Sequence, residues 1–544
     1  MKHRFLLFSC TIIFIISACN QPNKIPQKNN YPSGSLNISI NDPVETLDPV
    51  KILYRNDWQV VSAIYEGLVG YTEDHDSLEA LIAESWQVFD NGKRFTFKIR
   101  DSIYFHDNPC FPNGKGRLLD IDDVIYSFNR MLKKSSGNVF GGIFNGKIIG
   151  QREYYNSERE HISGLRRISE NEIEIVLTDS YSTFLKLLAT PSAFIIPKEA
   201  VKYYGDQFYK NPVGTGPFRL SIWNHLDEIH LSANRKYWCK SKNGVRFPLL
   251  KNIKFTLVLN SSKLLPELLK GNNDLYLTNL SILSELKTNK DFDNKFETRK
   301  NNGFPHIRFW EFSFDKNSSL YEHKNLRRAI AADYDPVVFD ENSLQNFTPS
   351  KSLVPKYLLN NLDSDMDNVY AESMISENIT GDVEVCSSIR TISYDSLVSK
   401  LKSRNITVNG NILASKYYHH IVNNKPEIFR VSMTPSFPDV EEYYSLFYSG
   451  SDKYVNLCNF KNNKYDKIFR LVMLENNVAK RNELCLELEK ILKNEGAFIP
   501  ISYSTQNIYV FPKYVKDFKM KYNIPDFRTI WIDDNYVAKK EIGS

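Results

Sequence analysis

Several things are scarce in this 544-residue chain: cysteine, an excess of either charge, and long apolar runs. Only 7 residues are cysteine, and beyond Cys10 and Cys19 they are Cys110, Cys239, Cys386, Cys458 and Cys485. These five are odd in number, widely spaced and without a CxxC pair, which argues against both a disulfide framework and a zinc-ribbon pattern. One isolated bridge stays open in an oxidising compartment. With 69 basic against 64 acidic residues there is no dedicated nucleic-acid surface to expect. Beyond the first residues no apolar run approaches the ~20 positions of a membrane-spanning helix. No repeat of fixed period occurs, which removes solenoids and propellers.

Catalytic signatures are missing too. Neither HExxH nor GxSxG is present, so the readiest hydrolase readings fall away. The stretch Gly141 to Lys147 (GGIFNGK) fits half of a P-loop, but Ile148 stands where Ser or Thr must hold magnesium. His419–His420 and His106–Asp107 have no third ligand at a fixed spacing, so neither a metal nor any cofactor is expected.

What is present begins at the first residue. Met1–Lys2–His3–Arg4 is basic, Phe5 to Ile16 is almost wholly apolar, and Ile16–Ser17–Ala18–Cys19 precedes a polar run. That order describes a secretory signal over residues 1–18. Ile-Ser-Ala-Cys also resembles the bacterial lipobox, in which the cysteine is acylated, so Cys19 is the expected lipid anchor to a membrane. Residues 19–32, rich in Asn, Gln, Lys and Pro, read as a tether.

The remainder alternates strand and helix patterns. Leu36, Ile38 and Ile40 alternate with polar residues, as do Phe95, Phe97 and Ile99, and Ile173, Ile175 and Leu177. Further strands are expected at 218–222, 229–233, 253–259 and 498–503. Apolar residues at helical spacing run from Trp58 to Leu68, from Val124 to Met131, from Tyr465 to Met473 and from Leu484 to Leu492. Aromatic residues make up 13% of the chain, enough to build a sizeable core. The class is α/β or α+β with several sheets.

Three groups of motifs, in order, carry a resemblance. The first is Leu47–Asp48–Pro49, Tyr65–Glu66–Gly67–Leu68, Leu81 to Trp86 (LIAESW), Phe95 to Arg100, Phe105–His106–Asp107 and Asp123 to Ser127. The second is Val213 to Leu220 (VGTGPFRL) with Asn234 to Trp238 (NRKYW), and the third is Asn325 to Ile330 (NLRRAI). The ordered set resembles the peptide/nickel-type family of extracytoplasmic solute-binding proteins over nearly the whole mature chain. Most of these residues read as core aromatics and turn formers rather than ligand contacts.

The resemblance implies an α/β, two-lobed periplasmic-binding-protein fold with a hinge and an additional domain on lobe I. It places lobe I at 33–78, 182–285 and 491–544, the additional domain at 79–181 and lobe II at 286–490. It further implies a monomer, not an enzyme, that captures a peptide ligand between the lobes and delivers it to the permease and ATPase subunits of an ABC importer. A muropeptide, a metal chelate or haem are the alternative ligands, and a surface or adhesive lipoprotein without transport is the alternative class. Ligand-lining residues carried over are Leu53, Tyr54 and Arg55 from lobe I. From lobe II they are Arg430, Val431, Ser432, Met433, Thr434, Ser436 and Asp439. In peptide-binding relatives an acidic residue receives the ligand's α-ammonium. Ser436 stands at the matching position, with Asp439 three residues on, Met433 in place of an aromatic and Ser432 in place of a glycine. This departure predicts weakened recognition of a free amino terminus.

Overall fold

Alternating Leu36, Ile38 and Ile40 build the strand Ser35–Ile40, whose apolar side chains are buried on one face. It pairs in parallel with Asn252–Leu257, followed by Glu228–Ala233 and Phe218–Asn224, each antiparallel to the last. The helix Arg55–Ile64 packs Val60, Val61 and Ile64 into the same core. It ends three to four residues before the periodicity does. Its terminal Ile64 carbonyl accepts from Gly216 N–H (2.9 Å), and Tyr65 is extended. A Cβ on Gly214 would stand 2.1 Å from that carbonyl oxygen, so only glycine lets the Gly214–Gly216 turn close over the helix end.

The structure, a computed structural model, describes residues 34–40, 42–52, 54–73, 77–134, 144, 146–224, 227–278, 280–301, 305–334, 347–359, 382–413, 417–504 and 507–534. Among these no helix is long and apolar enough to cross a membrane.

A second four-stranded sheet, wholly antiparallel, runs in the order Ala83–Phe89, Arg94–Ile99, Glu172–Val176 and Leu165–Arg167. Its Phe95, Phe97, Ile173 and Ile175 join the core of the first sheet. This is the additional domain, seated on lobe I. The second lobe is a six-stranded mixed sheet ordered Phe347–Pro349, Phe498–Ser504, His306–Phe312, Ile428–Met433, Val383–Ser387 and Val408–Ile412. Helices cover both faces. Asn463–Leu474 and Val478–Glu495 bury Tyr465, Phe469, Leu488 and Leu492 on one, and Lys324–Asp333 buries Leu326 and Ile330 on the other.

A three-stranded sheet of Tyr276–Thr278, Asn507–Pro512 and Phe296–Asn301 lies in sequence between the two lobes. The chain therefore leaves this sheet for the second lobe between 301 and 306 and returns between 504 and 507. The sequence reading put these passages at 286 and 491. Residue 491 instead sits inside the helix Val478–Glu495, and strand Phe498–Ser504 belongs to the second lobe. No change of composition marks either true crossing.

Candidate functional site

The motif residues come first, because they hold the first lobe in shape. Glu66 is buried and accepts hydrogen bonds from Thr215 Oγ1 (3.0 Å), Tyr237 OH (2.6 Å) and Trp238 Nε1 (3.1 Å). Asp48 accepts both Nη groups of Arg130, at 2.8 and 2.6 Å. His106 Nε2 bonds the Gly216 carbonyl (3.0 Å), and burial pushes its pKa down to about 4. The ring is neutral near pH 7, donates there, and accepts Gly214 N–H at Nδ1 (3.4 Å). Arg327 is enclosed by the carbonyls of Leu320, Tyr321, Glu495 and Gly496. Lys147, the P-loop-like lysine, is buried in an ion pair with Glu441 (3.1 Å), which leaves no phosphate-binding role for it.

The wall of the second lobe is the strand Ile428–Met433. Along its whole length it pairs with His306–Phe312 on one edge. On the other edge Val383–Ser387 reaches only Ile428 and Phe429. Past that point tyrosines from the helix Tyr417–Asn424 take over. Tyr417 OH donates to the Arg430 carbonyl (2.6 Å) and accepts Arg430 N–H (2.9 Å), and Tyr418 OH lies 3.5 Å from the Ser432 carbonyl. Successive residues of a strand turn their N–H and C=O to opposite edges. The peptide groups of Ser432 therefore face the same edge as those of Arg430, and among the described residues no strand is paired there.

His306 Nδ1 and Nε2 each lie 2.8 Å from a hydroxyl, those of Thr434 and Ser432 respectively. Burial, then the guanidiniums of Arg308, Arg430 and Arg55, hold this imidazole well below its usual range, so it is neutral. Arg55 belongs to the first lobe, where it bonds Tyr509 OH and the Asn523 carbonyl (3.3 Å). Tyr54 caps the same helix, and Tyr418 of the second lobe is among the groups that push its phenol up, after burial and Glu45. Arg55 and Tyr54 of the first lobe thus lie within electrostatic reach of His306 and Tyr418 of the second.

The other expected contacts fall differently. Leu53 and Cys19 lie outside the described residues. Val431 is buried in the core of the second lobe, and Met433 packs against it. Ser436 donates from N–H (2.6 Å) and Oγ (2.9 Å) to Glu442 Oε2. Asp439 is gripped by Arg481. Phe437, between them, is fully buried in the core of the first lobe. Tyr522 OH donates to the Pro435 carbonyl (2.7 Å) and Lys186 Nζ to that of Pro438 (3.1 Å). The segment 435–441 is therefore a docking strut between lobes. Sequence reasoning missed His306, Arg308, Tyr417, Tyr418 and Glu442. The partners of His306 lie 126 and 128 positions away, and no motif marks the closer pairs of Tyr417 with Arg430, Tyr418 with Ser432 and Glu442 with Ser436.

Comparison with known proteins agrees with this architecture. The model of bacterial extracellular solute-binding proteins, family 5 middle, matches residues 77–382. The dipeptide-binding protein DppE of Bacillus subtilis is 23% identical over 502 residues, covering 86% of each chain. Heme-binding protein A of Haemophilus influenzae is 21% identical over 542 residues, 93% of this chain and 94% of that one. The crystal structure of Haemophilus influenzae OppA in complex with RPPGFSPFR superposes with a TM-score of 0.74 at 17% identity, covering 92% of this chain and 99% of the other. With the family model matching more than half of its length, the chain belongs to family 5 of the bacterial extracellular solute-binding proteins.

Proposed function

We propose that this protein is the peptide-capturing component of an ABC-type importer. It holds an extended peptide between its lobes and hands it to a permease driven by a separate ATPase. The edge of Ile428–Met433 beyond Phe429, paired with no described strand and met only by tyrosine hydroxyls, is the observation that carries this reading. A strand edge in a cleft offers main-chain donors and acceptors in a fixed register. An extended peptide can add to it with little regard for its side chains. The hydroxyls of Tyr417 and Tyr418 occupy part of that edge and satisfy the peptide groups of Arg430 without a ligand.

The same reading makes Tyr54, Arg55, Arg430, Ser432 and Thr434 the ligand-facing set, with Val431, Met433, Ser436 and Asp439 supporting it from behind. It also places the protein outside the cytoplasm, tethered by a lipid on Cys19 and acting as a monomer.

Native mass spectrometry of the protein as purified tests the ligand class. A ladder of bound masses fitting short peptides is expected, together with a rise in melting temperature on adding a peptide pool. A ligand that binds the native state and not the unfolded chain stabilises the fold by RT ln(1 + [L]/Kd), about 2.7 kcal/mol at a hundredfold excess over Kd. A visible Soret band and a thermal shift with haem, with none from peptides, would replace the peptide by a haem ligand.

A further inference from the structure

Glu384, Cys386 and His420 meet on one face of the second lobe. Glu384 and Cys386 are two apart on the strand Val383–Ser387, so both side chains point to the same side of the sheet. Val383 and Val385 fill the core on the opposite side. The helix Tyr417–Asn424 packs over the Glu384 and Cys386 face, and its Tyr417 hydroxyl lies 3.1 Å from the Cys386 carbonyl. That contact positions His420, one turn along the helix, above the strand. His420 Nε2 is 3.2 Å from Glu384 Oε1, and the sulfur, the imidazole nitrogen and the carboxylate oxygen all lie within 4.8 Å of one another.

We propose that Glu384, Cys386 and His420 form a zinc site that is separate from the ligand cleft. Two donors on one tetrahedral zinc ion stand about 3.4–3.6 Å apart, given Zn–N near 2.0–2.1 Å and Zn–S near 2.3 Å. The trio needs side-chain movements of no more than about an ångström to reach that spacing. The donor set itself selects the ion. A thiolate with an imidazole suits zinc, whereas calcium and magnesium take oxygen ligands. Cys386 is fully buried, while the side chains of Glu384 and His420 are 23% and 21% exposed, so the fourth position opens to water. Asn411 Nδ2 donates to Glu384 Oε1 (3.2 Å) and aims the carboxylate as an outer-shell partner does. Sequence spacing gave no hint of this site, because the strand and the helix supply their donors from separate parts of the chain.

The site is tested on the full chain, freed of metal by chelation and titrated with Co2+ and then Zn2+. One equivalent of Co2+ should produce a thiolate-to-cobalt charge-transfer band in the near ultraviolet, and Zn2+ should abolish it. Zn2+ should also raise the melting temperature. Cys386→Ser should lose the band. His420→Gln, at a partly exposed position that leaves the core intact, should lose the Zn2+-induced thermal shift. Asn411→Ala should weaken binding roughly 10–100-fold. Absence of the band in the wild type overturns the proposal. So does a band that persists in Cys386→Ser, which would assign it to another thiol, or a thermal shift unchanged in His420→Gln. In those cases Glu384 and His420 share a hydrogen bond and nothing more.

Discussion

Both carboxylate oxygens of Asp439 are taken by a single guanidinium, that of Arg481, at 3.0 and 2.5 Å. The pair is well buried, with side chains 10% and 13% exposed, so its charge serves the fold. Ser436, at the position where relatives of this type were expected to present an acid, gives its hydroxyl to Glu442. Neither residue offers an anion to a ligand's ammonium. A charged hydrogen bond of that kind contributes about 1.5–3 kcal/mol, roughly ten- to a hundredfold in affinity. Free and N-acetylated versions of one peptide should therefore bind within about tenfold of each other. Calorimetry on the wild type with matched free and N-acetylated peptides checks this. Loss of wild-type binding on acetylation would mean that a carboxylate elsewhere in the cleft anchors the ligand. Asp439→Asn should lower stability, because it removes the two-pronged partner of the buried Arg481 and leaves it only Glu441, at 3.8 Å.

Glu442 provides a pH dependence with a definite sign. Burial pushes its pKa from the usual 4.5 up to about 7, against the opposing hydrogen bonds from Ser436 and Phe437. The folded state therefore holds the proton more tightly than the unfolded chain does. That contribution to stability is complete below about pH 4.5 and is lost as pH rises through about 7. Glu442→Gln keeps the neutral form at every pH. It should flatten the decline and exceed the wild type at about pH 8 by as much as ~3 kcal/mol. Asp57 and Asp526, raised to about 7 and about 8, slope the wild-type curve the same way. The readout is thus the difference between the two denaturation curves, and curves that stay parallel across this range would refute it.

A third prediction concerns Glu66, whose partners Thr215 and Tyr237 lie 149 and 171 positions away. Tyr237→Phe removes one hydrogen bond to a buried acid and should cost roughly 1.5–3 kcal/mol in urea unfolding. Peptide affinity should stay within about twofold of the wild type. A large loss of affinity with little loss of stability would place Glu66 in the ligand site instead.

Glu66 also marks what the sequence could and could not tell. Periodicity located the strand of Leu36 and Ile38 and the helix of Tyr465 and Phe469, because one face of each meets a core and the spacing records it. The ordered motifs identified the fold, but not the reason for their order. That reason is tertiary: Tyr65–Glu66, Thr215 and Tyr237–Trp238 converge on one carboxylate. The ligand wall was legible only as a segment. Which side of Ile428–Met433 stays open depends on where Val383–Ser387 stops, and nothing in residues 430–436 encodes it. Likewise Asp439 reads as a free acid until Arg481 is seen beside it.

The anchor can be checked independently of the cleft. Cleavage after Ala18 with a diacylglyceryl adduct on Cys19 is expected when the protein is made in a bacterium, and mass spectrometry resolves it. Cys19→Ala should abolish membrane association while the melting temperature stays within a degree or so, since surface changes outside a core are usually worth under ~0.5 kcal/mol. An unmodified product cut at another position would overturn the lipid reading.

Closure of the lobes supplies the last prediction. Glu441 lies in the strut 435–441 and receives Lys147 Nζ (3.1 Å) from the additional domain and Thr183 Oγ1 (2.7 Å) from the chain just after it. The lysine and glutamate side chains are only 4% and 5% exposed, so the pair is made in a dry interface where a lone charge is costly. In a two-lobed binder the ligand selects the closed arrangement, and apparent affinity falls in proportion to the closed fraction. Lys147→Met fills similar space without the charge and leaves Glu441 near Arg481 (3.8 Å), so the strut itself should keep its fold. If this pair forms only on closure, the variant should bind peptide at least about tenfold more weakly, equivalent to ~1.4 kcal/mol. Its ligand-free radius of gyration should also be the larger. Unchanged affinity and scattering, with lower thermal stability, would show that the contact persists in the open state. The additional domain and the second lobe would then move as one body, with the hinge elsewhere, at the crossings near 301–306 and 504–507.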